Sequence, residues 1–174
     1  MLTWNLFHGR DHPPDSALFT WRSRLLRVTE RNQTHAQVNR PLVREFAEVI
    51  AGAGWSVCFL QETPPSWAGT LAERCGAEAH AVLTSRNQLA GFRRRLARWN
   101  PDLIASGEGG SNVILVRPPW RIAERHSVLL NPFPRRRFRE RRRMALAMLV
   151  SEEDGVELCV ANLHATAGDR DQAE

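Results

Sequence analysis

The chain has no lysine, no tyrosine and only three cysteines in 174 residues, and it lacks any long apolar run. Each absence excludes something. Because all 24 basic residues are arginine, alongside abundant alanine, glycine and proline, the arginine usage reflects GC-rich coding more than function. Cys58, Cys75 and Cys159 are odd in number and widely spaced, which argues against a disulfide framework or a cysteine zinc cluster. Two of them fall in apolar strand-like runs, so buried, reduced thiols are expected. Residues 1 to 20 are interrupted by Asn5, His8, Arg10, Asp11 and two prolines, which leaves no signal-peptide core and no membrane span. A cytoplasmic protein is the expectation.

What is present suffices for one folded domain. A hydrophobic content of 43% with mixed charge supports a real core and excludes disorder. The net charge of +5 favours anionic partners by raising their local concentration. Seven arginines crowd the stretch from Arg135 to Arg143. That stretch is either a solvated loop leading into a strand or a phosphate clamp, since guanidinium forks match phosphate oxygens without reading nucleic-acid sequence.

Strand and helix signals alternate, with no internal repeat or linker. Residues 2 to 7 read as a short strand broken by a His8 to Asp15 loop, where consecutive prolines remove backbone donors. Residues 16 to 35 are partly helical in pattern. Pro41 to Ala53 reads as a helix presenting Leu42, Phe46, Val49 and Ile50 on one face and stopped by Gly52 and Gly54. Trp55 to Leu60 is a buried strand ending at Gln61-Glu62, followed by a helix from Ser66 to Cys75. Further on, His80 to Thr84 is a strand, Leu89 to Trp99 is helix-compatible, and Asn112 to Val116 is a strong strand. Met144 to Val150 and Val156 to Asn162 form an antiparallel hairpin about a turn at Glu153-Asp154-Gly155, with His164 just past its end. Helices between early strands and strands alone later predict an α+β sandwich, not a doubly wound parallel sheet.

Three polar side chains stand at the ends of these strands. Glu62 closes a run of apolar residues, where an ionised carboxylate either emerges into solvent or is compensated by a cation. Asn5 either caps a turn or helps to hold a metal and its water. His164 is either a packed imidazole or a proton-handling and charge-stabilising group. His8 and His12 form a spaced pair without further ligands nearby, which excludes a zinc site there.

Taken in order, Thr3-Trp4-Asn5-Leu6, Leu60-Gln61-Glu62, Ser111 to Pro118, the arginine-rich approach to Met144-Ala145, and Val160-Ala161-Asn162-Leu163-His164 resemble the endonuclease/exonuclease/phosphatase superfamily. The resemblance spans essentially the whole chain. It implies a deoxyribonuclease-I-like, four-layer α/β/β/α sandwich, here a single partial domain over residues 1 to 174 with an incomplete second sheet. The implied activity is magnesium- or manganese-dependent hydrolysis of phosphodiesters or phosphomonoesters. On this resemblance Glu62 and Asn5 are metal-site residues, with Asn5 also catalytic, and His164 is the catalytic imidazole at the scissile phosphate. Asn162, Arg142, Arg143, Asn112 and His8 are expected to bind substrate. Apart from the resemblance, Glu108, in a glycine-rich loop feeding the neighbouring strand, reads either as a plain turn residue or as an acidic partner of His164.

The chain also departs from the pattern. Asn-Leu-His replaces the more usual Asn-Thr-His-Leu, and the Gly-Asp-x-Asn element and the C-terminal Asp-His pair that activates water do not follow His164. An N-terminal fragment that hydrolyses phosphoesters weakly or not at all is therefore expected, with self-association through exposed sheet surface. The basic balance tips the expected substrate toward nucleic acid. Two alternatives remain open: a noncatalytic arginine-rich nucleic-acid-binding module, and a pseudoenzyme half completed by a partner.

Overall fold

A computed structural model describes residues 1–9, 42–84, 89–99, 108–130 and 143–164. The chain order is β1 (Leu2–Asn5), a 3-10 turn (Phe7–Gly9), α1 (Val43–Gly52), β2 (Val57–Thr63), α2 (Trp67–Cys75), β3 (Glu78–Leu83), α3 (Ala90–Trp99), β4 (Ser111–Val116), β5 (Trp120–Leu129), β6 (Arg143–Ser151) and β7 (Glu157–Asn162). Two sheets result. The first has the order β1-β2-β4-β3 and the second the order β5-β6-β7. Among the described residues, only β1 and β2 run parallel; the other pairings are antiparallel.

The layering follows from alternation along the central strands. On β2 and β4, Cys58, Leu60, Val113 and Leu115 face a core shared with Ile50, Trp67 and Leu71 of α1 and α2. Their neighbours Val57, Phe59, Ile114 and Val116 face Ala145, Ala147 and Leu149 of β6 instead. Residues two apart share one face of a strand, so β4 is buried on both sides. Helices, first sheet and second sheet form three layers among the described residues. The far face of the second sheet presents Met144, Leu146, Met148 and Val150, each half-buried.

Most elements stand where the sequence places them, with instructive shifts. The α1 face consists of Val43, Phe46, Ala47 and Ile50, while Val49 is exposed, because the helical period rotates position 49 away from the 43/46/50 stripe. Strand β1 stops at Asn5, since its side-chain Oδ1 accepts the Phe7 N–H at 2.9 Å and turns the chain. Cys58 and Cys75 are buried, but Cys159 is exposed on β7, contrary to the expectation for strand-borne thiols. Burial, reinforced by Cys75, pushes the Cys58 thiol up to about 12. The helical pattern at 16 to 35, the arginine run before Arg143 and the residues beyond His164 lie outside the described residues.

Arg117, just past β4, closes the end of the molecule opposite the polar strand ends. Its guanidinium donates to the carbonyls of Ala51, Ala53 and Cys75 at 2.8 to 3.1 Å and lies over the Trp55 ring at 3.9 Å. Cationic donors at helix C-termini satisfy carbonyls that have no helical partner.

Candidate functional site

The polar strand ends converge on Glu62. The β2–β4 register slips between Leu60 and Thr63, so Gln61 and Glu62 together oppose a single residue, and Glu62 adopts a left-handed backbone at φ 50°. A bulge of this kind re-aims side chains at a sheet end. It lifts the Glu62 carboxylate out of the strand's alternation. His164, arriving from the second sheet, places Nε2 3.1 Å from Glu62 Oε1, and His8, from the loop after β1, places Nε2 3.8 Å from Oε2. One carboxylate thus stands between two imidazoles.

Asn162 explains why the two sheets meet with this register. Its Nδ2 donates to the carbonyls of Leu60 and Val113, both at 2.9 Å, and its Oδ1 accepts from Gln61 Nε2 at 2.7 Å. Gln61 also reaches Thr3 Oγ1 at 3.3 Å, and its carbonyl accepts the Leu6 N–H. A buried amide with its donors and acceptor engaged is a fixed strut, not a ligand arm. Asn162, expected to bind substrate, instead pins the second sheet to the first and holds His164 two residues on. Gln61, which sequence reasoning assigned no role, is its partner; the Leu-Gln-Glu string was the signal that contained it.

Other expected residues have different places. Asn112 is fully buried, donating to the Arg143 carbonyl at 2.9 Å while its Oδ1 has no hydrogen-bond partner among the described residues. Arg143 directs its guanidinium to Ser127 Oγ at 2.9 Å rather than to the Glu62 cluster. Arg142 lies outside the described residues. Glu108, expected beside His164, receives both N–H groups of an Arg94 fork, at 2.9 and 3.2 Å, together with the Ser66 backbone N–H and hydroxyl. A buried carboxylate needs such compensation, and here it ties the start of α2 to α3. The acid next to His164 is Glu62.

The loop carrying Asn5 and His8 is under conformational load. Phe7 and His8 both have positive φ, 48° and 58°, without being glycine. Gly9 follows at φ 66°, and a Cβ there would lie 2.0 Å from the Trp67 ring, so only glycine passes. Gly110 is a second close approach: a Cβ would meet His8 Cε1 at 3.4 Å and Glu62 Cα at 3.5 Å. His8 Nδ1 is buried without a hydrogen-bond partner.

Asn5 pairs in register with Gln61, which sets it beside Glu62 at the same sheet end. Hard oxygen donors from one carboxylate and one amide suit magnesium or manganese, which take few protein ligands and complete their shell with water and phosphate. Here the Asn5 Oδ1 accepts the Phe7 N–H and the two Glu62 oxygens face His164 and His8, so an ion would have to share or displace these contacts. Among the described residues, no group of three or more His, Cys, Asp and Glu is placed to hold a metal.

No family model and no curated protein matches the chain. Solved structures do. A mannosyl-6-phosphatase from Bacteroides thetaiotaomicron is 15% identical with a TM-score of 0.58, the match covering 98% of this chain and 52% of that one. The chain has the endonuclease/exonuclease/phosphatase fold. A protein named for that family from the same organism gives the same identity and TM-score over 98% and 50% of the two chains. Another, from Beutenbergia cavernae, is 18% identical with a TM-score of 0.55 over 96% and 38%. The chain spans about half the length of the first two structures. Among the described residues, no helix is long and apolar enough to cross a membrane.

Proposed function

We propose that this chain supplies the cation- and phosphate-facing side of a divalent-metal-dependent phosphoesterase site. The observation that carries the reading is the contact between Glu62 Oε1 and His164 Nε2 across the mouth of two sheets, with Asn5 beside them. Glu62 would hold magnesium or manganese, and Asn5 would hold its water or a phosphate oxygen. When bound, such an ion lends charge to the phosphoryl transition state. His164 contacts the scissile phosphate, stabilises developing negative charge and assists the leaving group. The position of His8 on the other side of Glu62 suits a second contact with phosphate oxygens.

One carboxylate holds a hard cation weakly. Hydrolysis by this chain alone is accordingly slow. The basic balance favours nucleic-acid phosphoesters among the substrates.

The reading is tested by titrating Mn2+ into the wild type, Glu62→Ala and His164→Ala in a calorimeter, then assaying magnesium-dependent release of nitrophenol from an aryl phosphodiester. Glu62→Ala is expected to abolish cation binding. His164→Ala is expected to keep it while lowering turnover on the order of 10²-fold. Equal Mn2+ binding by Glu62→Ala and the wild type would overturn the assignment.

A further inference from the structure

Phe7 is a large apolar residue in a place that gives it no structural return. It is 68% exposed, the most exposed of the large aromatic side chains among the described residues, and its backbone is left-handed at φ 48°. A bulky residue in that region costs on the order of 1–3 kcal/mol, normally offset by burial or avoided by using Gly or Asn. Neither applies here. The conformation is imposed from both sides: Asn5 Oδ1 accepts the Phe7 N–H at 2.9 Å, and Gly9, against Trp67, donates its N–H to the Leu6 carbonyl at 2.7 Å. The turn therefore leaves a phenyl ring unburied one residue before His8, whose Nε2 lies 3.8 Å from Glu62 Oε2.

We infer that Phe7 is a specificity residue that stacks a planar aromatic group carried by the phosphoester, such as a nucleobase. The inference rests on the phosphoesterase reading above, and it adds the substrate class that the Glu62 cluster leaves open. Stacking on an aromatic face tolerates any base, because each has a π-face, and it contributes to binding independently of the charge that holds phosphate. Strain stored at a ligand-facing residue is a recurrent feature of functional loops.

The test measures binding of adenosine monophosphate, phenyl phosphate and glycerol phosphate to the full chain with Mn2+ present, for the wild type, Phe7→Trp, Phe7→Leu and Phe7→Gly. The wild type should prefer the two aromatic ligands over glycerol phosphate by about tenfold. Phe7→Trp should keep that ratio, and Phe7→Leu should lose it. Phe7→Gly should lose it too while melting at the same or a higher temperature, because glycine accepts positive φ without strain. Comparable enhancement for both aromatic ligands marks a general aryl platform, whereas enhancement for adenosine monophosphate alone marks a nucleobase subsite; either outcome supports Phe7 as the platform. A wild-type ratio near one, or a ratio that Phe7→Gly leaves intact, would overturn the inference while the phosphoesterase reading stands. If none of the three ligands binds the wild type, both fall together.

Discussion

The two sheets share a core but differ in how completely they are buried. On the first, all six residues of β4 are buried, with helices on one side and β6 on the other. On the second, β5 buries only Ile122 and β7 only Asn162. The centre of the first sheet is thus covered on both faces, although its outer strands β1 and β3 bury only Val82 between them, and this sheet carries the bulge at Glu62 and the left-handed residues after β1. The second is a half-covered layer whose contribution to the site, His164, depends on one amide strut. Stability and function are divided unequally between them.

The contrast can be broken most forcefully by truncating one leucine in each sheet. Leu115→Ala on β4 should cost about 2–5 kcal/mol in urea denaturation, as expected where a fully buried side chain leaves a cavity. Leu158→Ala on β7, where the residue is 44% exposed, should cost under about 1 kcal/mol. Similar losses at the two positions would show that the second sheet is as well packed as the first.

The strut gives the next largest effect. Asn162→Ala should cost about 1–3 kcal/mol, because two inward carbonyls and the Gln61 amide lose their partner. Gln61→Ala should cost less, since Asn162 keeps both donated bonds. Denaturation of the two variants side by side checks the ranking, and the reverse order would place the weight of the junction on Gln61.

Thiol chemistry sharpens the comparison with the smallest effect. Iodoacetamide at neutral pH should modify Cys159 on the second sheet while Cys58 on the first sheet and Cys75 on α2 are protected, as peptide mapping would reveal. The sign for Cys58 follows from its raised value. Below about pH 9 the thiol is protonated in both folded and unfolded chains and adds nothing to pH dependence; above it, the unfolded chain ionises first. Stability should therefore fall as pH rises from about 9 toward about 12, by roughly 1 kcal/mol at pH 10. The slope should be shallower in Cys58→Ala.

Much of this architecture is legible in the residues themselves. Unbroken apolar runs announced β2 and β4, the Glu153-Asp154-Gly155 turn announced the β6–β7 hairpin, and Gly76 ends α2 in the left-handed conformation that glycine accepts. Glu62 and His164 are brought together as their strand-end positions suggested, and Asn5 lies beside them. What the sequence hides is which polar groups are consumed internally. Asn162 and Asn112 look like ligands, but each donates its amide to carbonyls of the facing sheet, a match set by how the two sheets pack rather than by any local pattern. Glu108 likewise answers to Arg94 and Ser66, which no local pattern connects. The bulge at Glu62 is equally silent, because glutamate gives no hint of a positive φ.

The close approach between Gly9 and the Trp67 indole has a practical corollary for anyone wishing to retune this loop. Its shape is moulded by the first turn of α2, so diversifying residues 5 to 8 alone leaves the mould untouched. Trimming the indole at position 67 is the lever that would let the turn relax, and with it the spacing of ring, imidazole and carboxylate at the mouth of the sandwich.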